Sequence, residues 1–284
     1  MIRSRAYVVP LTAVLLALAT GIALGAGPLT DTRSSASPSP RVVTQPPDTG
    51  FGDAFAGSVA SRLYDHGLSR RPVALVTLPG ADPATVTALT AQVKAAGGQV
   101  AATYAIQGQL VDPQQKSLVD TLGIQLAQQL KGKTDPRATT YPRIGQLVAI
   151  AAATRGPAGT PAGADAAAVR QSLVAAKLLS VPAGDPPTAP LLLVVLGRSV
   201  DQTIADGLLT GLAAGARGIV AVAPTRDATL AALGTDGVTR RVTTVDGSET
   251  DAGRVAAVLG LIRSWRTSGG AFGASGSDGA VPLG

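Results

Sequence analysis

The sequence predicts an α/β fold: a Rossmann-like, mostly parallel sheet with flanking helices, preceded by one N-terminal transmembrane helix. Three observations predict it. Two short runs, Val73–Leu78 and Leu191–Leu196, are apolar throughout but for Thr77, as strands covered on both faces are. Each run is followed by a helix-period segment and then by a second apolar strand, the rhythm of a βαβ unit with a right-handed crossover. Residues 6–30 carry no charge, and their apolar part, about Tyr7 to Gly27, is long enough to cross a bilayer.

Arg3 and Arg5 precede the apolar segment and Asp31 follows it. The positive-inside rule therefore places the N-terminus in the cytoplasm and the rest outside. A cleaved export signal is the alternative, since "ALGAG" offers small residues at a cleavage site. A signal core is usually only about 7–15 residues long, so residues 1–30 are read as an anchor held in membrane lipid through residues 7–27. Ala17, Gly21 and Gly25 recur at spacing four, a small-residue stripe through which two such helices could form a homo-oligomer. Residues 31–50 are rich in Pro, Ser and Thr without an apolar period, and are read as a linker.

A folded unit is expected over residues 51–268. Phe51, Phe55, Val59 and Leu63 fall four apart on one helix face, with Asp53 as N-cap and Gly67 as the C-terminal glycine. The strand Val73–Leu78 runs into the turn "LPGADPA". The helix "PATVTALTAQVKAAGG" follows, with Val86, Leu89 and Val93 on one face, and then the strand "QVAATYAI". Helices are expected near 112–130, 142–155 and 165–180. The second unit is strand "PLLLVVLG", helix "SVDQTIADGLLTGLAAGA" and strand "RGIVAVAP". It aligns with the first through Pro72 and Pro190, Leu78 and Leu196, and Gly97 and Gly215, although generic βαβ rhythm accounts for most of that match. A short helix near 227–233, a strand "TRRVTTV" and a helix from about 250 to 267 complete the unit. Glu249 and Asp251 sit at the start of that last helix, and Arg263 and Arg266 at its end, as the helix dipole favours. Residues 269–284 read as a Gly-rich flexible tail.

The composition excludes several function classes. Of 284 residues, 45% are hydrophobic but only 3% aromatic, so the core must be built from Ala, Val, Leu and Ile. Net charge is +6, yet the basic residues are spread along the chain, in runs no longer than Arg70-Arg71 or Arg240-Arg241. Without a basic stripe and interleaved aromatics, no nucleic-acid partner is expected. There is no cysteine, which removes disulfides and thiolate chemistry. The turns "LPGADPA" and "LGRSVDQ" have one glycine each, so the dinucleotide fingerprint is absent. "KGKTD" resembles the end of a phosphate-binding loop, but Ala127 stands where the first glycine belongs and the segment follows a helix.

A Ser–His–acid triad would need His66, the only histidine, which sits at a helix end. Asp82, Asp185, Asp201 and Asp227 could in principle supply paired carboxylates, but an Asp at a helix start is usually an N-cap. Copper(I) prefers Cys or Met sulfur and copper(II) prefers imidazole; one His and the initiator Met cannot make a soft copper site. No catalytic, cofactor-binding or metal-ligating residue is therefore assigned, and the chain does not read as an enzyme.

Several stretches together resemble the actinobacterial copper-transport channel family, mycobacterial copper transport protein B. They are "MIRSRAYVVPLTAVLLALATGIALG", "FAGSVASRLYDHGLSRRPVALVTLPGADP", "AAGGQVAATYAIQGQLVDP", "LLLVVLG", "DAGRVAAVLGL" and "GGAFGASGSDGAVPLG". The resemblance covers nearly the whole chain. It implies an envelope protein that helps keep intracellular copper low, in a family described as an outer-membrane channel. Family members usually carry a coiled coil after the apolar segment, where this chain has its Pro/Ser linker. The ten-residue alternating strands of a membrane β-barrel are not seen in the sequence. The reading is a membrane-anchored envelope protein contributing to copper efflux or homeostasis without catalysis. The alternative is a non-transporting envelope scaffold or binding module for a partner protein or a cell-wall component.

Overall fold

The computed structural model describes residues 49–130, 132–156, 161–198, 200–233 and 238–283. The anchor, the small-residue stripe Ala17, Gly21 and Gly25, and the linker as far as residue 48 lie outside the described residues. Residues 48–284 form one compact unit.

Its centre is a seven-stranded sheet in the order β3-β2-β1-β4-β5-β6-β7. The strands are β1 (Val73–Thr77), β2 (Val100–Ile106), β3 (Leu179–Ser180), β4 (Leu191–Val195), β5 (Gly218–Ala223), β6 (Thr243–Asp246) and β7 (Ala271–Phe272). All neighbours run parallel except β3, which is antiparallel to β2. The two apolar runs are inner strands lying side by side, with Val73 opposite Leu191 and Thr77 opposite Val195. That register is the same pairing that aligns the two βαβ passages in sequence.

Side chains alternate across a strand, so each apolar run feeds two cores. Ala74, Val76, Leu192 and Val194 point to one side. There α5 (Thr140–Ala152) and α7 (Gln202–Gly215) cover the sheet with Ile144, Leu147, Leu208 and Leu212. Val73, Leu75, Leu191 and Leu193 point to the other. There α1 (Thr49–Tyr64), α2 (Pro83–Ala95) and α9 (Asp251–Ser264) contribute Tyr64, Leu89, Val93 and Leu261. The helices α3 (Gly108–Val111), α4 (Lys116–Gln129), α6 (Ala164–Ala175) and α8 (Ala228–Leu233) complete the α/β arrangement.

Four expectations are corrected. The first helix begins at Thr49, inside the expected linker, and buries a different face. Ala60 and Tyr64 are buried, with Ala56 packed beside them, whereas Phe51, Phe55 and Leu63 are 79%, 58% and 47% exposed. The small alanines let α1 lie close to α9, which the large residues at spacing four would prevent. Second, Asp53 lies within α1 and does not cap it; its carboxylate accepts from the Ala252 N–H at the start of α9. Third, the chain reverses after α1 through Asp65 and His66, both left-handed, with φ of 43° and 53°. Gly67 is required for space instead, because a Cβ there would lie 2.8 Å from the Ile262 side chain. Fourth, the helix expected to reach residue 180 ends at Ala175; Lys177 turns left-handed, and Leu179–Ser180 pair with the edge of β2.

Residues 269–284, read as a flexible tail, supply the last strand. Ala271–Phe272 add β7 to β6 in parallel. Gly273, at φ 110°, passes so close to Asp246 that a Cβ would sit 2.1 Å from Oδ1. A glycine needed for close backbone approach looks, in sequence, the same as a glycine in a mobile linker.

Candidate functional site

In a parallel α/β sheet the ligand crevice opens at the C-terminal ends of the strands, where strand order reverses. Here that point lies between β1 and β4. The crevice is filled by backbone. The Leu78 N–H donates to the Val195 carbonyl at 2.9 Å. Gly197 rests on the turn after β1, where a Cβ would come within 1.7 Å of the Pro79 carbonyl oxygen.

The two helix N-termini beside this crevice are the places where a phosphate would dock. Both are occupied by the chain's own carboxylates. Asp82 accepts from the Ala84 and Thr85 N–H groups at 3.2 and 3.0 Å, and from the Thr85 hydroxyl at 2.8 Å. These hydrogen bonds, the Thr85 hydroxyl first, hold its carboxyl below the usual carboxylate range. Asp201 accepts from Thr203 N–H at 2.8 Å and Ile204 N–H at 3.2 Å. Asp82 and Asp201 are thus N-caps, as their sequence positions indicated.

A second concentration of polar groups lies at the end of β6. Asp246 is 3% exposed. Its carboxylate accepts from the Arg226 N–H at 3.3 Å, the Ser275 N–H at 3.1 Å and the Ser275 hydroxyl. Asp246 borders two cavities of about 330 and 380 Å³. The first also meets Asp227, Thr244 and Phe272; the second meets Asp53, Thr225 and Thr250. Asp227 accepts from the Leu230 N–H at 3.0 Å and so caps α8. Glu249 accepts from the Thr225 N–H with both oxygens at 3.1 Å. With these donors on it, Asp246 fastens residues 271–276 to the sheet. Sequence reading missed this residue, because its main partner Ser275 lies in a segment that reads as a tail.

The remaining candidates lie elsewhere. His66 follows the end of α1, at the pole where the strands begin, and is exposed. Asp185 is not a cap: it accepts from Arg170 Nη1 at 2.6 Å. Arg170 is itself buried, donates from Nε to the Ala151 carbonyl at 2.8 Å, and lies over the Tyr104 ring at 5.7 Å. Burial raises the Tyr104 hydroxyl above its usual range. The pattern on α6 carried a signal for this buried arginine: Ala166, Val169, Arg170 and Leu173 share one helical stripe. The structure therefore disperses Asp82, Asp185, Asp201, Asp227 and His66 into separate roles. Among the described residues, no three His, Asp or Glu side chains are grouped so as to hold a metal ion.

A family model described as "Copper transport outer membrane protein, MctB" matches residues 1–283. The chain belongs to the MctB family. No curated protein matches it at a significant level. As an MctB-family member the protein is a copper-transport-related protein of the cell envelope. Among the described residues no helix is long and apolar enough to cross a membrane.

Proposed function

We propose that this MctB-family protein is anchored by residues 7–27, holds its α/β unit outside the cytoplasmic membrane, and contributes to copper efflux or homeostasis without catalysis. The match to the copper-transport family over residues 1–283 carries this reading. The chain's donor inventory supports a role other than tight metal ligation: copper is the cargo, and a lone imidazole gives one ligand where a tight site needs about three or four. Copper then passes through an assembly of copies, or through a partner protein. The stripe Ala17, Gly21 and Gly25 is the proposed contact between anchors.

The second reading, an envelope scaffold or binding module, draws on the stripe of Phe51, Phe55 and Leu63 on α1, which is exposed among the described residues. Copper accumulation and copper sensitivity of a deletion strain separate the two. Copper accumulation in that strain supports the first reading. Unchanged copper tolerance, with a specific partner recovered by crosslinking at α1, supports the second.

A further inference from the structure

The arginines that are scattered in sequence are gathered by topology. In a parallel sheet every strand starts at the same pole, and the covering helices end there. Arg71 precedes β1, Arg217 precedes β5 and Arg241 precedes β6. Arg155 follows α5, and Arg266 follows α9. Among the described residues none of these five is in an ion pair. Backbone carbonyls hold three of them: Arg71 Nη1 donates to Gly67 at 2.8 Å, Arg217 Nε to Trp265 at 3.3 Å and Arg155 Nη2 to Ala213 at 3.4 Å. Two guanidinium groups also lie over the ring of Trp265, Arg217 at 3.9 Å and Arg71 at 4.8 Å from its centre.

Three of them, Arg71, Arg217 and Arg266, feel one another's charge. Burial, then the charges of Arg266 and Arg217, pull the Arg71 guanidinium below its usual range. Like charges gathered at one pole make a field that attracts an anion. There is room for one. A cavity of about 350 Å³ is bordered by Arg155, Arg217, Arg241 and Ser268, with no carboxylate in its lining. That is the lower range of small-molecule sites, about 300–1,000 Å³, and ample for a substituted tetrahedral oxyanion. A guanidinium fork matches two oxygens of such a group, and a hydroxyl can donate to another.

We propose that this pole binds a phosphate-class oxyanion in the cavity between Arg155, Arg217 and Arg241. The phosphate can belong to a lipid headgroup or to a soluble molecule; the chemistry recognised is the same. The site is independent of the copper reading, so either can fail alone.

The test is calorimetric titration of the full chain in nonionic detergent, at constant ionic strength. The probes are inorganic phosphate, glycerophosphoglycerol as a headgroup diester, and sodium chloride. Trp265, the only tryptophan, provides a parallel fluorescence signal. Saturable binding of phosphate or of the diester is expected, weakened roughly tenfold or more in the Arg155→Gln/Arg241→Gln variant, which spares the arginines stacked on Trp265. Arg198→Gln, at the opposite pole, should bind as the wild type does. Tighter binding of the diester identifies a lipid headgroup, and tighter binding of inorganic phosphate identifies a soluble ligand; both support the site. An equal response to chloride, no saturation, or unchanged affinity in a double variant of native circular dichroism would overturn it.

Discussion

At the pole where the strands end, Asp82, Asp201 and Asp246 each accept hydrogen bonds from backbone N–H groups of their own chain. At the pole where the strands begin, Arg71, Arg155 and Arg217 are held by carbonyls and by one indole, with no carboxylate paired to them among the described residues. The first pole is where this fold usually takes its ligand, yet its crevice is filled by Gly197 against Pro79 and its helix N-termini are self-capped. At the second pole Arg155, Arg217 and Arg241 border a cavity with no carboxylate in its lining. Fold architecture indicates where a ligand could sit; which end is chemically unsatisfied must be read from the side chains.

The sharpest way to break this contrast is at Gly197. Gly197→Ala places a methyl group against backbone that cannot yield, and should cost about 3 kcal/mol, read as a lower urea midpoint. If stability is unchanged, the crevice is not closed by backbone. Next is Asp246→Ala, which should cost about 1–3 kcal/mol and expose residues 273–283 to protease before the sheet unfolds.

A smaller effect is expected from Asp82→Asn, and it depends on pH. The folded state depresses the Asp82 carboxyl, so its contribution is present above the ordinary carboxylate range and is lost as pH falls through the depressed folded value. Stability curves of variant and wild type should therefore converge in acid. A difference that persists at the lowest pH would contradict the capping role. The smallest effect is at the other pole and has the opposite sign. Arg266→Gln relieves repulsion on Arg71, and should raise stability slightly at low salt and not at high salt. A loss of stability there would show that the cations are compensated after all.

Much of the sheet was legible. The apolar runs at 73–78 and 191–196 fit strands covered on both faces, and both are inner strands. The caps Asp82 and Asp201 were legible too, because capping is local. What was missed depends on contacts between distant segments. α1 buries Ala60 and Tyr64 in place of its larger stripe because α9 comes close. The β6–β7 pairing and the Asp246–Ser275 contact join residues 27 and 29 apart, through glycines that alone suggest mobility. Arg170 disclosed its burial only through its place on the apolar stripe of α6. The arginine pole was hidden because Arg71, Arg155, Arg217, Arg241 and Arg266 are spread over nearly 200 residues, and parallel topology brings them to one end of the sheet.

We propose that the protein supports copper handling without being the copper ligand. The direct measurement is intracellular copper in cells lacking the protein, complemented with the wild-type chain or with His66→Ala. Copper accumulation in the deletion strain and equal restoration by both chains are expected. Normal copper in the deletion strain, or failure of His66→Ala at normal protein level, would contradict it.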